Sequence, residues 1–197
     1  DKSAVTHLRT FFQYLFARGI TATNLALSVP RAATARDKRL PRHLPPEGVE
    51  AVLDWVRRNP RHGVRDYAML LIMARLGLRA PEITRIELDD IDWRSGELTV
   101  RGKGKVHDRV PITAEVGEAL SRYLREERGP TDCRTLFVTQ RAPHRPFKDS
   151  QIVNAIIKDA LDATGQKPAT PYVGSHVLRH SLATQLINRG ASLDEVG

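Results

Sequence analysis

Apolar positions recur along the chain at helical spacing, then at strand spacing, then at helical spacing again. Val49, Val52, Leu53 and Val56 fall at i, i+3, i+4 and i+7, which predicts a helix opening at Pro46. In "RDYAMLLIMARLGL" the residues from Tyr67 to Leu76 are apolar almost all round, so a helix buried on every side is expected there, with Met69 and Met73 as packing residues. Gly77 supplies its stop and Pro81 suits the first position of the next helix, leaving Arg79 in the joint between the two. Leu98 and Val100, then Val110 and Ile112, alternate with polar residues around two glycine-containing turns. Strands near 88–92, 97–101 and 108–112 follow, forming a small antiparallel sheet. Helices resume near 114–127, 149–163 and 176–189, with "TLFVT" a candidate short strand. The last helix is read as amphipathic and ends at Gly190. Beyond it Ser192 and Glu195 have the spacing of a capping box that opens another helix.

The pattern divides the chain. A helix is predicted from Ser3 to Arg18, stopped by Gly19, and it carries Phe11, Phe12, Tyr14, Leu15 and Phe16. That is more aromatic surface than one surface helix hides. Packing against the following domain would cover it, but residues 1–29 are expected to be the last piece of a domain whose earlier helices are absent. Residues 30–45 form a linker with prolines at 30, 41 and 45 and another, Pro46, just after it, and with Arg31, Arg36, Lys38, Arg39 and Arg42 against a single acid, Asp37. The linker is either a solvated connector or a segment that tracks phosphates. Residues 46–197 make the second domain.

Composition changes this picture in one respect. The 197 residues hold 31 Lys and Arg against 23 Asp and Glu, a formal net charge of +8, which makes nucleic acid the leading partner. A single cysteine, Cys133, excludes a disulfide framework and a cysteine-based zinc site, and fits core or loop filling in a reducing cytosol. No stretch approaches the roughly 20 apolar residues that span a bilayer, and residues 1–20 lack the pattern of a signal peptide. A cytoplasmic protein without membrane contact is expected.

Three constellations compete for the chemistry. His176 and His180 have the spacing of a zinc-protease helix, but Val177 stands where that motif needs Glu and no third ligand is evident, so no metal is expected. "RGKGK" is glycine-rich and basic, but it lies inside a hairpin and Lys105 is followed by Val106, so it is not a nucleotide-binding loop. Lys103 at the hairpin tip is either a solvated turn residue or a mobile ammonium that swings into a groove. Arg79 is either a structural salt bridge or an oxyanion clamp, with Glu82 placed to orient a neighbouring cation. Taken together, Arg79, Lys103, His176 and Arg179 are a kit for metal-free phosphoryl transfer on DNA. Two guanidiniums grip nonbridging oxygens, a histidine assists and a lysine protonates the leaving oxygen.

"GLRAPEITRIELDDID", "LTVRGKGKVHDRVPI" and "SHVLRHSLATQLINRGASLDEV" resemble successive segments of the tyrosine recombinase (phage integrase) family, close to its Xer-like branch. The likeness runs from about residue 44 to the end, and "LRTFFQYLFARGITATNLALSVP" is similar to the last part of that family's N-terminal core-binding domain. The resemblance implies a mainly α fold with a small three-stranded antiparallel sheet, the tyrosine-recombinase catalytic domain, here lacking its last helices. It implies that Arg79 is the first phosphate-gripping arginine, with Glu82 beside it, and that Lys103 is the general acid toward the 5′ oxygen. His176 and Arg179 become the histidine and second arginine of the H-x-x-R motif, and His180 a buried helper.

Arg39, Arg42, Arg101, Lys105 and Arg109 are the expected further DNA contacts. The implied activity is site-specific recombination of double-stranded DNA through a 3′-phosphotyrosyl intermediate, by a homo-tetramer when full length, with neither metal nor nucleotide. The chain departs from the family pattern after the H-x-x-R motif. Tyr14, Tyr67, Tyr123 and Tyr172 all precede Arg179, and none of the 18 residues after it is Tyr. The expectation is a phosphate-binding pocket without its nucleophile, inactive alone. The rival reading is a non-catalytic DNA-binding protein, a decayed integrase or accessory factor.

Overall fold

Five consecutive side chains, Met69 to Met73, have no solvent exposure, and one helix carries them all. Burying each is worth roughly 1.5–3 kcal/mol, so this segment alone sets where the core lies. The computed structural model describes residues 2–29, 43–102, 107–167 and 174–191. The chain forms two compact units, residues 1–39 and 40–197.

In the first unit, α1 spans Lys2–Ala17 and is followed by a 3-10 turn at Leu25–Leu27. Gly19, at a φ of 68°, takes the left-handed conformation that stops α1. Arg9 Nη1 reaches the carbonyl of Val29 at 2.6 Å and ties the end of this segment to α1. Leu8, Phe11, Tyr14 and Phe16 stay exposed.

The second unit is helical, with one small sheet. Its elements are α2 (Pro46–Arg58), α3 (Val64–Leu76), α4 (Ala80–Ile83), β1 (Ile91–Asp92), β2 (Glu97–Arg101), β3 (His107–Pro111), α5 (Ala114–Glu126), α6 (Gln151–Thr164) and α7 (His176–Asn188). α3 is the axis, and α2, α4, α5, α6 and α7 all pack against it. The predicted stripe of α2 is its buried face: Val49, Val52, Leu53 and Val56. At the start of α3 a charged pair is taken inside. Arg65 holds Asp66 Oδ1 through Nε and Nη2, at 2.8 and 2.6 Å, and Asp66 Oδ2 faces His62 Nδ1 at 3.0 Å. A buried charge needs such partners, and the third arginine nitrogen finds the Val138 carbonyl at 3.1 Å.

The sheet runs β1-β2-β3, antiparallel throughout. Leu98 pairs with Val110 and Val100 with Asp108, so these residues share one face, on which Leu98 and Val100 are buried, while Thr99 and Arg109 share the other. Two expected strands are shorter than predicted. Residues Leu88–Asp90 form a 3-10 turn, because the Asp90 carboxylate accepts the Glu87 N–H at 2.8 Å and folds the segment back on itself. "TLFVT" contributes only isolated bridges at Thr135 and Val138. It and the preceding Arg134 pair briefly with the segment after α4, through Leu88 N to Arg134 O at 2.8 Å and Leu136 N to Ile86 O at 2.7 Å. The linker residues 30–42, Tyr172 and the capping box at Ser192 and Glu195 lie outside the described residues.

Candidate phosphate-binding site

The site begins where α3 stops. Gly77 caps that helix at a φ of 71° and donates its N–H to Met73 O at 3.1 Å, a conformation that glycine adopts without steric cost. Leu78 turns inward, and Arg79 becomes the extended residue before α4. Pro81 occupies the second helical position rather than the predicted first. Glu82, one turn on, uses both carboxylate oxygens on Arg79: Oε2 accepts the backbone N–H at 2.7 Å and Oε1 accepts Nη1 at 2.8 Å. Glu82 thus holds both the backbone and the side chain of Arg79. The Arg79 side chain, still 56% exposed, is aimed but not covered.

The second arginine arrives on α7. Ser175 N–H donates to Asn154 Oδ1 on α6 at 2.9 Å and fixes the helix start. Ser181, fully buried, accepts the Leu44 N–H at 2.9 Å and donates to Val177 O at 2.8 Å, tying the beginning of the unit to the helix. α7 is less amphipathic than expected: its buried face is Val177, Leu178, Ser181 and Thr184, half of it polar, while Leu182, Leu186 and Ile187 are only half-buried. Arg179 is half-buried and donates from Nη1 to the carbonyl of Gly77. Burial pulls its pKa below the ordinary arginine value, and the nearby positive charge of Arg79 pulls it further, with Glu82 opposing.

Arg79 and Arg179 line one pocket of about 350 Å³, together with Gly77, Glu82, Gly102 and Asp108. Two guanidiniums on one pocket, with the charge of Arg79 disfavouring that of Arg179, make a site suited to taking an anion. Gly102 brings the β2–β3 hairpin to this pocket, whereas Lys103 and Lys105 within that hairpin lie outside the described residues, as do Arg39 and Arg42.

His176 opens α7, one turn before Arg179, and is exposed. Its ring centroid lies 6.1 Å from that of His180. His180 is also exposed, so the buried position expected of it is not found. Partial burial still lowers its pKa, followed by the charges of His176 and Arg179. Arg101 is engaged by Glu87 and Asp90, each at 2.9 Å from Nη2, and Arg109 reaches Glu97 at 3.2 Å on the outer sheet face. Asp108 was missed by sequence reasoning. The strand alternation that pairs it with Val100 was the available signal.

Among the described residues no cluster of His, Cys, Asp or Glu could hold a metal ion, and no helix is long and apolar enough to cross a membrane. Tyr123 is buried, its hydroxyl accepting the Val138 N–H at 3.2 Å, and Tyr67 lines a different pocket beside Arg57 and Arg122.

Comparison with known proteins yields consistent matches. The phage integrase family profile matches residues 42–197. The protein y4rA of Sinorhizobium fredii is 39% identical over all of this chain, which covers 47% of y4rA. Tyrosine recombinase XerD of Pseudomonas putida is 35% identical over 94% of this chain and 61% of its own length. The chain thus spans about half to three fifths of these two relatives. Among solved structures, the Tn1549 transposon integrase in complex with circular intermediate DNA superposes with a TM-score of 0.72 at 18% identity, over 98% of this chain and 68% of that one. At that identity the likeness speaks for the fold.

Proposed function

Because the chain belongs to the phage integrase family, we propose that it supplies the phosphate-gripping part of a tyrosine recombinase that cuts and rejoins double-stranded DNA at specific sites through a 3′-phosphotyrosyl intermediate. The observation that carries this reading is the convergence of Arg79 and Arg179 on one pocket, Arg79 held by the Glu82 carboxylate and Arg179 by the Gly77 carbonyl. A phosphodiester seated between them places its nonbridging oxygens against two guanidiniums, and the charge that builds on those oxygens in the transition state is met by donors already in place. His176, a turn from Arg179, assists as a proton carrier or hydrogen-bond donor. Lys103, next to the pocket residue Gly102, protonates the departing 5′ oxygen.

The nucleophile in this reading is a tyrosine other than Tyr14, Tyr67, Tyr123 and Tyr172, encoded downstream of Gly197 or delivered by a neighbouring protomer in a synaptic tetramer. The unit around α1 is read as the end of a DNA-clamping domain, with Arg39, Arg42, Arg101, Lys105 and Arg109 as further backbone contacts.

Salt dependence of duplex binding tests the phosphate reading. The logarithm of affinity should fall linearly and steeply with the logarithm of salt concentration. Replacing Arg79 and Arg179 together by alanine should reduce the slope by about 0.9, the equivalent of one neutralised phosphate. A flat response in the unmodified chain would remove DNA from consideration.

A further inference from the structure

A second pocket adjoins the first. It measures about 440 Å³, shares Arg79, Glu82 and Gly102 with its neighbour, and adds Arg85, Arg101 and Pro81. Of the arginines around it, Arg79 is held by Glu82 and Arg101 by Glu87 and Asp90. Arg85 is exposed, and among the described residues its guanidinium has no ion pair and no hydrogen bond. It is nevertheless fixed at its base. Ile83, Thr84 and Ile86 on either side are buried, the Arg85 N–H donates to Glu82 O at 3.1 Å, and Ile86 O is bonded to Leu136 N.

A cation that is anchored at the backbone, uncommitted at its head and placed at a pocket wall loses little on binding a phosphate, since no internal partner has to be given up. The shared wall also fixes what the ligand must be. Anything bridging the two pockets carries two anionic groups in succession, as one strand of a nucleic-acid backbone does, with a charge roughly every 3.4 Å of axis.

We propose that Arg85 grips the phosphate adjacent to the one held between Arg79 and Arg179, on the same strand, so that the two pockets together set the position of the cleavable bond along the backbone. The proposal rests on the DNA-cleaving reading above and adds a contact outside the Arg79, Lys103, His176 and Arg179 set.

The test is fluorescence anisotropy of this chain with a labelled duplex of arbitrary sequence across a salt series. Arg85→Ala should weaken binding and lower the salt slope by about 0.9 relative to the unmodified chain. Arg85→Lys should retain the slope, since an ammonium still neutralises a phosphate. The control is Arg122→Ala, which removes an exposed arginine paired with Glu126 on α5, and it should leave the slope unchanged. A steep slope in the unmodified chain that Arg85→Ala does not alter overturns the Arg85 contact while leaving the DNA reading standing. An equal loss in Arg122→Ala overturns it too, because net charge alone would then account for the effect. A flat slope in the unmodified chain overturns both.

Discussion

Arg179 hydrogen-bonds the carbonyl of Gly77, the residue whose left-handed conformation ends α3. A side chain on the last described helix is thereby set by a backbone turn 102 residues earlier in the chain. The position of the Arg179 guanidinium depends on that turn keeping its shape.

Gly77→Ala should therefore harm both stability and function. At a φ of 71° an added Cβ is strained, and it would stand 3.2 Å from Leu182 Cδ2. Left-handed backbone costs a non-glycine residue roughly 1–2 kcal/mol. Urea denaturation should show a loss of about that size, and DNA affinity should fall under conditions in which the variant is still fully folded.

Glu82→Gln separates holding from binding. The carboxylate neutralises Arg79 and orients it through two hydrogen bonds. Removing its charge makes the pocket more positive, so non-specific duplex affinity should rise by a few-fold. Strand cleavage by the complete protein should fall, because the guanidinium is no longer aimed. The stability change should stay within about 1 kcal/mol, since the Arg79 side chain is largely in solvent.

The helices were legible because burial largely follows periodicity: of the apolar positions that spacing marks, Val116, Ala119, Leu120 and Tyr123 in α5 and Ile156, Ile157, Ala160 and Leu161 in α6 are buried, while Leu124 and Ile152 are half-buried against the core. Residues 88–90 were misread as strand because their fold is decided by side-chain oxygens, Asp90 to the Glu87 N–H, which hydrophobic alternation does not register. Arg79, Glu82 and Arg179 were singled out by their motif context, and the fold brings all three to one pocket. Arg85 and Asp108 were not, since their meaning comes from pockets that join α4, the sheet and α7, segments distant in sequence.

The pH response of His180 carries a definite sign. Its pKa in the folded protein lies below the ordinary histidine value near 6.5, chiefly through burial and then through His176 and Arg179. The unfolded chain thus binds the proton more readily. The stability that His180 contributes is present above the ordinary value and is lost as pH falls through the folded value. His180→Gln should flatten that part of the pH–stability curve, as read by denaturant titration. An anion in the pocket favours the protonated form, so duplex binding should take up protons and strengthen as pH falls through the same window.

The most direct measurement is covalent trapping with the complete protein that contains this chain. After incubation with duplex DNA, a heat- and detergent-stable adduct joined through a 3′-phosphotyrosine should form. Arg179→Ala should abolish that adduct while retaining most DNA binding. An adduct that survives Arg179→Ala undiminished, or DNA that is bound by the unmodified protein and never becomes covalently attached, would contradict the account, the second outcome leaving a DNA-binding protein without catalysis.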